Sequence, residues 1–237
     1  MPRVAIVVIG NEILSGKVEE SNARYAIGRL RALGADLERI CVVPDAIDAI
    51  AREVRESSAA HDYLITSGGV GPTHDDITYE AMAAAFGEPL IEHPGVVGLL
   101  RKFYGEQLSA DHLRMARFPR SAVVRMREDH PFPVVSVANV FVFPGIPFLF
   151  QAAFDEVAPA FAGPPFHLRE VFCMRDEGVI ASALRGIQDS FPDLALGSYP
   201  RRAAAGGFEV RITIEGRDAG RVNQAASQVE AAVLDHG

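Results

Sequence analysis

Three apolar runs set the fold of this chain: RVAIVVIG from Arg3, ADLERICVVP from Ala35, and YLITS from Tyr63. The first reads Arg3 to Ile9 and stops at Gly10 without a polar alternate, the pattern of a parallel strand covered on both faces. Between the runs lie segments of helical period. SNARYAIGRLRALG carries Ala23, Ile27, Leu30 and Leu33 at helical spacing and stops at Gly34, while DAIDAIAREVRESSAA places Ile47, Ile50, Ala51 and Val54 on one face. A further helix is expected in DITYEAMAAAFG. Strand–helix alternation of this kind builds βαβ units, so the expectation is a three-layer α/β fold: a mainly parallel sheet with helices on both faces.

From Glu88 to about Pro131 the period is less regular. GVVGLLRKFYGEQ and SADHLRMARF read as helices, and FPRSAVVRM as a connector or an edge strand. Sheet character returns in PVVSVANVFVFPG, and PFLFQAAFDEVAPAF closes the unit as a helix. AGPPF, Ala162 to Phe166, reads as a linker because paired prolines stop the helix. Beyond it HLREVFCMR, LALGSYPR and GGFEVRITIEG read as strands, and GVIASALRGIQDSF and DAGRVNQAASQVEAAVLDH as helices. The expected division is therefore residues 1–165 as the main domain and 166–237 as a small α+β domain of βαββα order.

Composition narrows the partners. A net charge of −8 argues against nonspecific binding to nucleic acid or an anionic membrane. With no Trp and few aromatics, a stacking platform for bases is not expected either. Cys41 and Cys173 stand alone in apolar runs without metal spacing and read as buried reduced thiols. The apolar opening is too short for a signal peptide or a membrane span, so a cytoplasmic setting is expected.

Ligands of open α/β sheets bind beyond the carboxyl ends of the strands. That rule gathers three loops at one edge: Gly10 to Gly16, Val43 to Asp45, and Ser67 to Asp76. They bring Glu12, Asp45, Asp75 and Asp76 together, with Asn11 and Asn22 nearby. One acid at a strand end commonly caps a helix, but acids on three loops of one edge suggest more. In TSGGVGPTHDD, Gly68, Gly69 and Gly71 free the backbone to turn and present N–H groups ahead of a helix N-terminus, a nest for phosphate or carboxylate. Carboxylates beside a phosphate require a divalent cation between them, so Asp75 and Asp76 read as magnesium ligands. GNEILSGKV fails as a Walker A loop, since Val18 stands where Ser or Thr must hold the metal. GGVGPTH fails the dinucleotide fingerprint, since His74 takes the place of the last glycine.

SGGVGPTHDDITYEA resembles the signature segment of the MoaB/Mog domain of molybdopterin adenylyltransferases. GNEILSG, the His-Asp-Asp variant and VFPGIP (Val142 to Pro147) resemble more closely the N-terminal part of competence/damage-inducible protein A and the related domain of eukaryotic FAD synthases. Glu177, Gly178, Ile180, Ala181 and Leu184, with PDLALGSYP, resemble the small domain that follows there. Glu20-Ser21-Asn22 departs from the usual Asp-Thr-Asn but keeps the amide. These residues contain no counterpart of the amidase domain, so no nicotinamide-nucleotide deamidation is expected of them.

The resemblance implies a pterin or nucleotide phosphate at this edge, and in some relatives metal-dependent cleavage of ADP-ribose or FAD. On a hydrolase reading, the substrate sits on Ser67, Gly68, Gly69, Gly71 and Thr73, with Gly145 of the VFPGIP segment. Mg²⁺ is held by Asp76 with Asp75 or Asp45, Glu12 orients the water, and Asn22 or Ser15 binds a phosphate or ribose hydroxyl. The alternative is a non-hydrolytic molybdopterin-binding or adenylyl-transfer module, which needs the same nest and metal. His74 reads equally as a general acid or an exposed turn residue. A homo-oligomer is expected from the resemblance and the apolar stretch around Phe148 and Phe150.

Overall fold

The computed structural model describes residues 1–126, 132–202 and 208–234. Gly206 and Gly207, expected to open a strand, and Asp235 and His236, expected to end the last helix, lie outside the described residues. The chain divides into two compact units, Met1–Gly163 and Pro164–Gly237.

The first unit runs β1 (Arg3–Ile9), α1 (Asn11–Leu14), α2 (Asn22–Ala32), β2 (Asp36–Val43), α3 (Ile47–Ala60), β3 (Tyr63–Ser67) and α4 (Thr78–Phe86). It continues through β4 (Leu90–Glu92), α5 (Pro94–Tyr104), α6 (Ala110–Arg114), β5 (Arg117–Pro119), β6 (Val123–Arg125), β7 (Val134–Val137), β8 (Val140–Phe143) and α7 (Pro147–Val157). The main sheet has the order β2-β1-β3-β8-β7-β6. Strands β2, β1, β3 and β8 are mutually parallel, and β7 and β6 add antiparallel pairings at one side.

The unbroken apolar run of β1 has a direct cause. Val4, Ile6 and Val8 pack with Ala23, Ala26 and Leu30 of α2 and Phe150, Phe154 and Val157 of α7. Ala5, Val7 and Ile9 belong to the opposite core, with Ile50 and Val54 of α3 and Ala81 and Met82 of α4. Successive strand side chains alternate faces, and here both faces are covered. The first core is ring-rich: Phe150 and Phe154 stack at 5.6 Å, and Phe143 meets Phe150 edge-on at 5.4 Å.

Several expectations are corrected in detail. Ile27 and Ile47 are 40% and 39% exposed. The buried stripe of α2 runs through Ala23, Ala26 and Leu30, which turns Ile27 to its margin. SADHLRMARF is helical only to Arg114; Phe118 instead pairs with Ile91 in a two-stranded sheet and packs on Val96, Val97 and Leu100. The helix expected from Asp76 begins at Thr78. Cys41 is only half-buried, and both cysteines are free thiols. Burial raises the Cys41 thiol above its usual range, with Glu53 adding to the effect. Of the apolar pair near residue 150, Phe150 is core and Phe148 is 69% exposed, so only Phe148 is available to another molecule.

The second unit comprises β9 (His167–Cys173), α8 (Glu177–Ser190), β10 (Ala195–Arg202), β11 (Phe208–Gly216) and α9 (Ala219–Leu234), the βαββα order read from the sequence. Its antiparallel sheet, β10-β11-β9, buries Val171, Val210, Ile212 and Ile214 against Ile180 and Ile187 of α8 and Val222, Ala226 and Val229 of α9. No helix among the described residues is long and apolar enough to cross a membrane.

Phe154 is fully buried between α2 and the sheet. Phe154→Ala is expected to cost about 3–5 kcal/mol and to lower the thermal midpoint by on the order of 10 °C. Ile27→Ala, at a site that is 40% exposed, is expected to leave it nearly unchanged. Equal melting shifts in the two variants would contradict this assignment of the core.

Candidate functional site

The connections reverse at β1, which has β2 on one side and β3 on the other. The chain therefore leaves the carboxyl ends of β1 and β3 at a crevice. Two backbone bonds hold its rim: Gly10 N–H donates to the Val43 carbonyl and Gly68 N–H to the Phe143 carbonyl, each at 3.1 Å. Gly68 has φ +108°, and a Cβ there would collide with the Ile9 carbonyl oxygen. At Gly69, φ +66°, a Cβ would strike the Thr78 hydroxyl. Only glycine meets both conditions at these positions. Thr78 fixes the resulting loop: its hydroxyl donates to the Gly68 carbonyl at 2.8 Å and its N–H to the Gly69 carbonyl at 2.9 Å.

Not every group expected to form the nest is free to do so. Gly68 turns the chain, but its own N–H is committed to Phe143. The N–H groups of Gly69, Val70 and Gly71 meet no acceptor among the described residues. Ser67 does not serve the nest: it is buried, and its hydroxyl accepts the Asn22 side-chain amide at 2.9 Å. The same amide donates to the Gly145 carbonyl at 2.8 Å. Asn22 thus clamps α2 to the ends of β3 and β8 through its side-chain N–H groups, while its buried Oδ1 meets no partner among the described residues. Ser15, exposed, donates its hydroxyl to the Glu12 carbonyl at 3.3 Å.

The acids separate into three situations. Asp45 accepts the Asn11 N–H at 2.7 Å, binding the end of β2 to the start of α1. Asp75 is exposed and accepts the Thr73 hydroxyl at 2.6 Å. That bond, followed by a backbone N–H, holds its carboxyl below the usual range. Asp76 accepts both the Thr73 N–H at 2.8 Å and the Thr73 hydroxyl at 2.6 Å, and it lines the crevice. It does not cap α4, whose N-cap is Ile77. Asp45, Asp75 and Asp76 do not converge as a shared metal cage, and no group of three His, Cys, Asp or Glu does so among the described residues. His74 is 98% exposed, the turn residue of its two readings.

The crevice is a cavity of about 430 Å³. Its lining includes Glu12, Gly68, Gly69, Gly71, Asp76 and Gly145. The apolar part of the lining includes Tyr104, Met115, Phe132 and Leu149. The Glu12 carboxylate is folded back over Gly10, where a Cβ would lie within 2.8 Å of the carboxyl carbon. Sequence reading missed the apolar wall, because Tyr104 and Met115 come from the irregular middle segment, Phe132 follows directly on it, and Leu149 comes from a helix distant in sequence. It also missed Thr78, whose only sign was a hydroxyl residue just past the acid pair. Two carboxylates on a cavity, without a closed cage, suit magnesium, which takes one or two carboxylates and completes its shell with water and phosphate oxygens. The cavity residues fit that ion.

Comparison with known proteins identifies the family of both units. A family described as "Probable molybdopterin binding domain" matches residues 5–163, and one described as "FAD synthase, middle domain" matches residues 165–236. An Archaeoglobus fulgidus protein is 31% identical over 97% of both chains. A Caenorhabditis elegans protein named "Probable FAD synthase" is 33% identical over 89% of this chain, which spans only 46% of that relative. A crystal structure of the protein CinA from Thermoplasma acidophilum is 28% identical with a TM-score of 0.63, covering 68% of this chain and 98% of that one. The chain belongs to the molybdopterin-binding-domain family, and in it that domain, residues 5–163 and similar to the CinA structure, is followed by a segment that matches the FAD-synthase middle domain.

Proposed function

We propose that the first unit is a magnesium-dependent hydrolase of nucleotide diphosphates of the ADP-ribose or FAD type. One observation carries the reading. A single cavity joins three unpartnered backbone N–H groups, two carboxylates and an apolar wall with two aromatic rings. Such a cavity matches, part by part, a ligand with phosphates, their metal ion and a planar ring.

The N–H groups of Gly69, Val70 and Gly71 receive the oxygens of one phosphate, aided by the positive end of α4. Tyr104 and Phe132 face the ring system. Asp76 holds magnesium, and Glu12 orients a water and takes its proton. The bound ion supplies charge neutralisation at phosphorus and a more acidic water. The water oxygen bonds to one phosphorus as the bridging P–O bond breaks. The bridging electron pair leaves with the other phosphate, so each half departs as a monoester. Thr73 supports the cation. Its hydroxyl has a single proton to share between the Asp75 and Asp76 carboxylates, both 2.6 Å away, so the corner holds more negative charge than Thr73 balances. A cation at this corner relieves the excess negative charge. The "Probable FAD synthase" relatives add weight to a flavin or adenine ring. A pterin fits the same wall, and pterin binding without cleavage is the competing outcome.

Asp76→Asn retains an oxygen to accept from Thr73 but removes the charge. Hydrolysis of ADP-ribose and FAD is expected to fall roughly a hundredfold, the equivalent of about 2.7 kcal/mol in barrier, with little change in melting temperature. Wild-type turnover in this variant would remove Asp76 from the chemistry. A wild type inert towards both substrates that binds a pterin would replace hydrolysis with the binding reading.

A second expectation concerns pH. Because the folded Asp75 pKa is lowered, its contact with Thr73 stabilises the loop at neutral pH and is lost as pH falls through that lowered value. In Thr73→Val the Asp75 midpoint, followed by carboxyl NMR, is expected to rise towards the ordinary carboxylate range. An unchanged midpoint would show that the hydroxyl is not its cause.

A further inference from the structure

The segment Pro72–Asp76 carries the acid assigned to the metal, yet most of it lies on the surface. Thr73, His74 and Asp75 are exposed. Its internal bonds are Thr73 N–H and hydroxyl to Asp76, the same hydroxyl to Asp75, and Asp76 N–H to the Thr73 carbonyl at 3.1 Å. These give the loop a shape without fixing where it sits. Among the described residues, the hydrogen bonds that tie it to the rest of the protein come from one side chain. Arg114, at the end of α6, donates from Nη1 to the Thr73 carbonyl at 3.4 Å and from Nη2 to the Asp76 carbonyl at 3.3 Å. Glu80, in the first turn of α4, accepts from the same Nη2 at 3.3 Å and holds the guanidinium in place.

We infer that Arg114 is a positioning residue of the cavity: it holds the Asp76 backbone so that the carboxylate stays on the cavity wall. The inference rests on the metal-dependent reading above. A planar guanidinium reaches two carbonyls and a carboxylate at once, which a lysine ammonium on a single flexible stem does not reproduce. The next residue, Met115, lines the apolar wall. The end of α6 therefore sets both the ring side and the acid side of the cavity, so ring contacts and metal affinity are coupled through one short helix. Arg114 touches no reacting atom on this account; it acts through Asp76.

Mn²⁺ binding, measured by calorimetry on wild type, Arg114→Ala, Arg114→Lys and Glu80→Gln, tests this directly, with hydrogen exchange of residues 73–76 as a second readout. Arg114→Ala is expected to weaken Mn²⁺ binding by about 10–100-fold, the usual effect of losing a residue that supports a ligand. Exchange in the loop should be faster, while the N–H groups of β1 and β3 stay protected. Arg114→Lys should recover only part of the affinity, and Glu80→Gln should fall between wild type and Arg114→Ala. In hydrolysis, the magnesium requirement should rise more than the turnover at saturating magnesium falls. Wild-type Mn²⁺ affinity in a folded Arg114→Ala protein would overturn the positioning role and leave the hydrolase reading standing. Should Arg114→Ala not fold, full affinity in both Arg114→Lys and Glu80→Gln would overturn it equally. A wild type that binds no Mn²⁺ would remove the hydrolase reading and this inference with it.

Discussion

The close passage of Gly68 over the end of β1 is the constraint on which the site depends. A side chain at position 68 would occupy the Ile9 carbonyl, so the chain can leave β3 in this direction only with glycine there. The passage lets Gly68 N–H bond across to Phe143, and it brings Gly145 so near that a Cβ on Gly145 would lie 3.4 Å from the Gly68 Cα. The Asn22 amide then fastens the ends of β3 and β8 to α2. With three strand ends fixed in this way, the next three residues line the cavity, and their N–H groups meet no acceptor among the described residues. The apolar cores on both faces of β1 make that frame rigid, because neither face can shift without opening a packed layer.

Much of the frame was legible because its causes are local. An apolar run without alternation requires two covered faces, and the β1 side chains divide between two cores accordingly. The βαββα order of the second unit followed from strand and helix periods that change after the paired prolines. Residues 94–119 were harder, since their small core forms only when Phe118 reaches Val96 and Leu100, and the strand pairing that brings it there joins segments distant in sequence.

At the site, residue types were readable but their uses were not. Glycines at 68, 69 and 71 and an acid at 76 marked the place. Which donors remained free depended on tertiary bonds no sequence pattern encodes: Phe143 takes the Gly68 N–H, Asn22 occupies Ser67, and Asn11 occupies Asp45. An acid cluster inferred from adjacency thus becomes two acids on the cavity, Glu12 and Asp76, one exposed, and one joining two loops. Arg114 and the apolar wall had no local signature, because their importance lies in what the fold sets beside them.

The claim that one cavity takes phosphate on its N–H row and metal on Asp76 is tested most directly by crystals soaked with Mn²⁺ and the α,β-methylene analogue of ADP, which is not hydrolysed. The account predicts an anomalous Mn²⁺ peak at the Asp76 carboxylate, a phosphate within hydrogen-bond reach of the Gly69–Gly71 N–H groups, and the adenine against Tyr104 or Phe132. A phosphate bound elsewhere, or Mn²⁺ density away from Asp76 in a crystal that holds the nucleotide, would contradict it.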